Sequence, residues 1–276
     1  MSDPKIEPLI DIGVNLLSRR FVADVDDVVE RALAAGVVAM VVTGTDIDTS
    51  RQAPKLCERW EGCLFHTAGC HPHHADSMSE ADWQQLETLF DTSPHLVAVG
   101  ECGLDYHRNF SSPDNQRQVF ARQLALAAKH RRPVFAHLRE ASDDFLAIVK
   151  EYRPELVGLC VHCFTDGPDV LEVLLDLDCD IGVTGWICDE RRNHALTQAI
   201  GLIPDGRLML ETDAPYLLPR NLPNKPKNGR NEPCFLPHIC REVAKLRRQP
   251  ADAVARITTE NAMRFFHLNV DEESDA

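Results

Sequence analysis

The sequence lacks any long apolar run. No stretch approaches the roughly 20 residues that a membrane span needs. Residues 1–30 carry acids and bases throughout, without the uncharged core of a secretory signal. These absences predict a cytoplasmic protein that does not engage a membrane. Positive charge is also short: 29 basic against 43 acidic residues leave a net −14, which argues against indiscriminate attraction to nucleic acid. Cys160 and Cys163 form a C-x-x-C, but no second pair stands at zinc-ribbon spacing. The ten cysteines therefore read as reduced. Cys63, Cys160 and Cys179 sit inside apolar runs, where cysteine acts as a small hydrophobe. Finally, no glycine-rich phosphate loop follows the first apolar run, which removes the main support for a dinucleotide-binding sheet.

What is present is a repeated unit. Short apolar runs recur near 8–12, 37–43, 64–69, 96–100, 133–136, 157–161, 180–183 and 207–211. Runs this continuous suit strands buried on both faces. Amphipathic stretches separate them, among them Val25–Ala35, Glu80–Phe90, Asn115–His130 and Ala141–Tyr152, several preceded by start signals such as Ser79 and Ser112-Pro113. Eight strands alternating with helices, at about 34 residues per unit, predict a TIM (β/α)8 barrel. The expected layout is one domain over 1–270 with closing helices at 235–247 and 251–266, then a frayed acidic tail at 271–276.

Four of the apolar runs stop on ionisable residues: Glu101, His137, His162, and the Glu211-Thr212-Asp213 run. In a parallel barrel the strand C-termini share one face, so these side chains can converge from distant positions. Imidazoles and carboxylates bind first-row divalent metals at about 2.0–2.2 Å. Water on such an ion loses a proton near neutral pH, and an unligated carboxylate can accept it.

A resemblance then becomes specific. The runs DIGVN (11–15), GCHPHHA (69–75), GECGLDYHRNF (100–110), PVFAHLR (133–139), VHCFTDG (161–167), IGVTGWICDERR (181–192), ETDAPYLLPR (211–220) and RNEP (230–233) resemble those of the TatD family of metal-dependent nucleases, over roughly residues 9–266. DIGVN and GWICDERR resemble TatD proper more than the wider family. The resemblance implies an amidohydrolase-like barrel, a divalent metal, and 3′→5′ exonuclease action on DNA, preferring single strands and extending to RNA. It matches Glu101, His137 and His162 to metal ligands, and Asp213 to the presumed base. Asp11 becomes a candidate further ligand, and His71 a candidate metal or phosphate contact. Where many relatives carry two histidines after the first strand, this chain has Gly13 and Asn15, so one firm metal is expected. The resemblance suggests Mg2+ for activity, whereas two imidazoles favour Zn2+, Mn2+ or Ni2+ for tight binding.

Residues 219–230 (PRNLPNKPKNGR) hold Arg220, Lys225, Lys227 and Arg230 with no acid. Beside the site this loop, with Arg139 and the Arg191/Arg192 pair, becomes a candidate phosphate-binding surface. Trp186, Tyr216 and Phe164 are candidates to stack bases. The expected partner is single-stranded DNA or RNA and the expected state a monomer. The rival reading is a small-molecule amidohydrolase on the same barrel and metal site.

Overall fold

The computed structural model describes residues 6–269. The tail at 271–276 lies outside the described residues. Eight strands follow one another in chain order around a single parallel sheet: β1 (Leu9–Val14), β2 (Val37–Val42), β3 (Leu64–Ala68), β4 (Leu96–Asp105), β5 (Val134–Arg139), β6 (Leu159–His162), β7 (Asp180–Val183) and β8 (Leu208–Leu210). Every residue of β1, β4, β6, β7 and β8 is buried, which is why the sequence shows runs and not alternation.

The sheet closes on itself where β8 meets β1. Asp213 N donates to Gly13 O (2.9 Å), Asn15 N donates to Ala214 O (2.7 Å), and Val14 bridges Ala214 in parallel. Asp11 completes this seam from the side. Its Oδ1 accepts from the backbone N–H of Thr212 (2.9 Å) and Gly13 (3.2 Å), and its Oδ2 from the Thr212 hydroxyl (2.5 Å).

Helices α1 (Val25–Ala34), α2 (Ile47–Arg59), α3 (Glu80–Thr92), α4 (Pro113–His130), α5 (Ser142–Tyr152), α6 (Pro168–Asp176) and α7 (His194–Ala199) follow the first seven strands in turn. Their starts carry the expected chemistry. Ser79 accepts from Asp82 N to cap α3, and Ser112 with Pro113 opens α4. The last two helices, α8 (Leu236–Arg247) and α9 (Ala251–Phe266), follow the long loop after β8. No helix among the described residues is long and apolar enough to cross a membrane.

Two apolar clusters fill the fold. The larger joins strands to the surrounding helices. The smaller gathers Ile10, Ile12, Ala39, Val41, Phe135 and Met209 with Ala262, Phe265 and Phe266 of α9. Helix α9 stoppers one end of the barrel. Thr259 Oγ1 donates to Pro8 O (2.8 Å), and Asn261 Nδ2 donates to Asp205 O and Leu208 O (2.6 and 2.8 Å). These acceptors lie where β1 and β8 begin, so the plug occupies the N-terminal end. The C-terminal end stays open.

Candidate active site

At that open end lies a cleft of about 550 Å³, and at its floor three imidazoles surround one oxygen. Glu101 Oε1 is 2.6 Å from His162 Nε2, 3.1 Å from His137 Nδ1 and 3.3 Å from His71 Nε2. Glu101 is buried and does not end its strand as the sequence suggests. Strand β4 runs on to Asp105, and Glu101 N donates to Gly44 O (2.8 Å), which fixes the carboxylate beneath the mouth. His137 likewise lies inside β5, which continues to Arg139.

The ring nitrogens sort these histidines by tautomer. His137 Nδ1 faces Glu101, while Asp105 Oδ2 stands 3.6 Å from its Nε2. His162 Nε2 faces Glu101, while Glu211 Oε2 stands 3.3 Å from its Nδ1. At His162 the carboxylate on the far side favours N–H there and a lone pair toward the cleft, the arrangement of a metal-ligating histidine, whereas His137 Nε2 is buried without a hydrogen-bond partner. His71 differs: its Nδ1 accepts from His73 N (3.1 Å), so the neutral ring carries its proton on Nε2, aimed at Glu101. The donor atoms of His71, Glu101 and His137 lie within 4.8 Å of one another, a metal's reach. His162 Nε2 stands 2.6 Å from the same Glu101 oxygen, so these four side chains face one point.

Electrostatics agree with a cation site. Burial opposes charge on Glu101, yet the charge of His162 above all, with hydrogen bonds from His137 and His162, holds its carboxyl well below the ordinary range. Burial also opposes charge on His162, but Glu101 and Glu211 raise its pKa well above the usual value. Burial lowers His71 to about 4, which keeps it neutral. A site that draws protons onto two of its imidazoles around a buried carboxylate is one where a divalent cation can take their place, releasing them on binding. The donor set thus fits a divalent ion.

Two further carboxylates stand close by, Asp213 on the floor and Glu211 behind it. Asp213 lines the cleft, and its Oδ1 accepts from Asn15 Nδ2 (2.9 Å). Burial pushes its carboxyl up to about 7. Glu211 is fully buried and accepts from Cys163 N through Oε1 (2.5 Å). Its carboxylate explains Gly13. A Cβ on Gly13 would overlap Glu211 Oε2 and stand 2.9 Å from Phe135 Cζ, and one on Gly182 would stand 2.8 Å from Glu211 Oε1. Gly13 is thus more than a missing ligand: the space beside it belongs to Glu211. Gly13→Ala is expected to destabilise the fold by about 1–3 kcal/mol through overpacking, read as a lower denaturation midpoint. Gly13→His is expected to give no second tight ion in calorimetric titration. A gain of one would mean that Glu211 vacates this space.

Residues 10–267 match the family described as TatD related DNase. The chain belongs to the TatD family. The protein called "3'-5' ssDNA/RNA exonuclease TatD" in Musicola paradisiaca is 48% identical over 260 residues, covering 94% of this chain and 98% of that protein. The protein of the same description in Erwinia tasmaniensis is 49% identical, covering 94% and 100%. A crystal structure of a TatD homologue from Escherichia coli K12 superposes with a TM-score of 0.84 at 27% identity, covering 95% of this chain and 98% of that one.

Among the other residues that the sequence singles out, this TatD-family chain brings some to the cleft and commits others elsewhere. Arg139 lines the cleft, its guanidinium 5.4 Å from the Trp186 ring centroid. Asp11 does not line it, because both its oxygens serve the β1–β8 seam. Arg230 is a correction. It pairs with Asp24 (2.7 Å) and Glu232 (2.6 Å) and lies over Phe21, so it pins the loop to the start of α1 and does not present charge to phosphate. Arg220 is exposed but reaches Asp189 and Glu190, and Arg191 and Arg192 pair with Asp189 too. Lys225 and Lys227 stand exposed. Phe164 is a second correction: it is 1% exposed, packed in the core where no base can reach it. All ten cysteines are free thiols.

Asp105, His73 and Phe110 are not singled out in the sequence, and Glu211 is noted there at a strand end without a role. His73 Nε2 stands 2.7 Å from Asp105 Oδ2, tying the loop after β3 to the far side of His137. The available signal is the i, i+4 pair Glu101 and Asp105 in one buried run.

Proposed function

We propose that this protein is a divalent-metal-dependent 3′→5′ exonuclease that acts on single-stranded DNA and also on RNA. The observation that carries the reading is the convergence of His137 Nδ1, His162 Nε2 and His71 Nε2 on one buried oxygen of Glu101, at the open end of the barrel. Glu101, His137 and His162 hold the ion, with Mg2+ for turnover and Zn2+, Mn2+ or Ni2+ for tighter occupancy. When bound, the ion supplies Lewis-acid charge that lowers the pKa of water and offsets phosphodiester charge.

The chain's own residues do the rest. Asp213 accepts the attacking water's proton, and Asn15 holds that carboxylate in place through Oδ1. His71 donates from Nε2, toward Glu101 or toward a phosphate oxygen. Arg139 offers charge at the mouth, its guanidinium 5.4 Å from the Trp186 ring centroid. Lys225 and Lys227 contact backbone phosphates of the incoming strand. The relatives' description as exonucleases supports this reading over the small-molecule amidohydrolase. The enzyme acts as a monomer in the cytoplasm.

The test is a set of 3′- and 5′-labelled single and double strands incubated with metal-loaded protein. Stepwise loss of nucleotides from the 3′ end is the expected result, and inertness toward every strand with every ion would overturn the reading. The same substrate measures the loop. Because Arg230 and Arg220 are already paired, neutralising Lys225 and Lys227 is expected to lower the log–log salt slope on a single strand by about 1.4, at about 0.7 per contact. Adding Arg230→Gln should not lower it further. An unchanged slope in the double variant would mean that neither lysine meets phosphate.

A further inference from the structure

Among the described residues, six large apolar side chains are strongly exposed, and only two of them are aromatic: Phe110 at 67% and Tyr216 at 52%. Both line the cleft. Water-exposed rings are costly surface, and here the two occur together at the mouth of the site.

Their places in the fold are complementary. Phe110 belongs to the loop after β4 and Tyr216 to the loop after β8. In a closed ring of eight sequential strands these loops stand on opposite sides of the mouth, with Glu101 supplied from within β4 and Asp213 from just after β8. Both rings sit on fixed backbone. Beside Phe110, Arg108 N donates to Asp105 Oδ1 (2.8 Å), Asn109 Nδ2 to Tyr106 O (2.7 Å) and Ser111 Oγ to His73 O (3.0 Å). Beside Tyr216, Arg20 Nη1 donates to Pro215 O (3.1 Å), as does Asn231 N (3.2 Å). Phe110 meets the His73 ring in a T-shaped contact, at 4.8 Å between centroids.

A strand cut between its last two nucleotides carries one base on each side of the scissile phosphate. Resting on the exonuclease reading above, we propose that Phe110 and Tyr216 are base-stacking platforms that flank this phosphate, Phe110 under the 3′-terminal base and Tyr216 under the penultimate one. Charge sets the direction. From Tyr216 the chain runs to Arg230 without an acid and exposes Lys225 and Lys227, a surface for the body of a polyanion. On the Phe110 side Arg108 is a single exposed cation at the cleft, with Glu140 paired to His107 and Asp76 hydrogen-bonded to Ser112, so the longer acid-free basic surface lies on the Tyr216 side. Stacking on a protein ring is indifferent to sequence. It requires bases free of a pairing partner, so the arrangement also accounts for a preference for single strands.

The test uses single strands that lack the base at the terminal or the penultimate position, with kcat and KM measured for release of the first nucleotide. In the wild type, each missing base is expected to lower kcat/KM by about 5- to 150-fold, the range for one stacked base. Phe110→Ala should lower kcat/KM on the intact strand by a similar factor, mostly through KM. It should then ignore loss of the terminal base and still respond to loss of the penultimate one. Tyr216→Ala should show the converse, and Phe110→Trp should restore what alanine removes. Variants that keep full sensitivity to both missing bases, or that show the two positions exchanged, would overturn the assignment. A wild type that shortens the intact strand yet ignores base loss overturns this proposal alone, whereas one that leaves the intact strand whole overturns the exonuclease reading beneath it.

Discussion

Glu101→Gln is expected to strip the protein of metal and to lower turnover by about 10³-fold, the loss that follows when about 4 kcal/mol of charge stabilisation is removed. The amide matches the carboxylate in shape and can still hydrogen-bond to the three imidazoles, so packing at this buried position is preserved. What disappears is the negative charge that gathers them. Without it His162 loses one of the two carboxylates that hold its proton, and the ligand set is left as neutral nitrogens without an anionic oxygen. Metal content after dialysis, circular dichroism and turnover on a labelled single strand together make the test. Retention of one ion per chain, with the fold intact, would remove Glu101 from the ligand set.

Asp213→Asn should keep the ion and lower kcat by about 10²–10⁴-fold, the usual cost of losing a general base. The substitution isolates charge unusually well. Asp213 has φ +52, a left-handed conformation that asparagine tolerates better than most residues, and the new amide oxygen can still accept from Asn15. A pH profile separates a base from a scaffold. The ionised form of Asp213 is the active one, so wild-type activity should rise with pH through the carboxyl's pKa and be lost as pH falls below it. That pKa is about 7 from burial, and a bound cation moves it lower. The acidic limb is therefore expected at or below about pH 7, and it should vanish in the variant. Activity within threefold of wild type, with the limb unchanged, would make Asp213 structural.

The eight strands were legible because burial on both faces leaves uninterrupted apolar runs, and parallel topology then places their far ends on one face. That logic brings Glu101, His137, His162 and Asp213 together from positions up to 112 residues apart, as 213 − 101 shows. It does not see partners. Arg230 reads as a free cation because one acid that holds it, Asp24, is 206 residues away and the other, Glu232, lies just past the acid-free loop. Phe164 reads as a rim aromatic because it follows a strand, yet its N–H pairs with Gly182 O (2.9 Å) and its ring turns inward. Helix α2 is obscured by Pro54 within it, which breaks the pattern that marks its neighbours. Glu211 stood in plain view beside Asp213. Only the crowding at Gly13 and Gly182 reveals that its carboxylate occupies space between strands.

Closure of the barrel has a consequence for the order in which the protein is made. The seam joins Asp11 to Thr212 across 201 residues, and α9 ties Thr259 to Pro8 across 251. Contacts so remote in sequence form late, since the loop they close must first exist. A ribosome that has released the first two hundred residues has delivered Glu101, His137 and His162, but β1 still lacks its second neighbour and Asp213 has not been made. Such an unfinished chain has three of the residues that line the cleft and lacks the carboxylate of Asp213 that faces them. Vectorial synthesis therefore leaves the cleft incomplete until the chain is nearly finished.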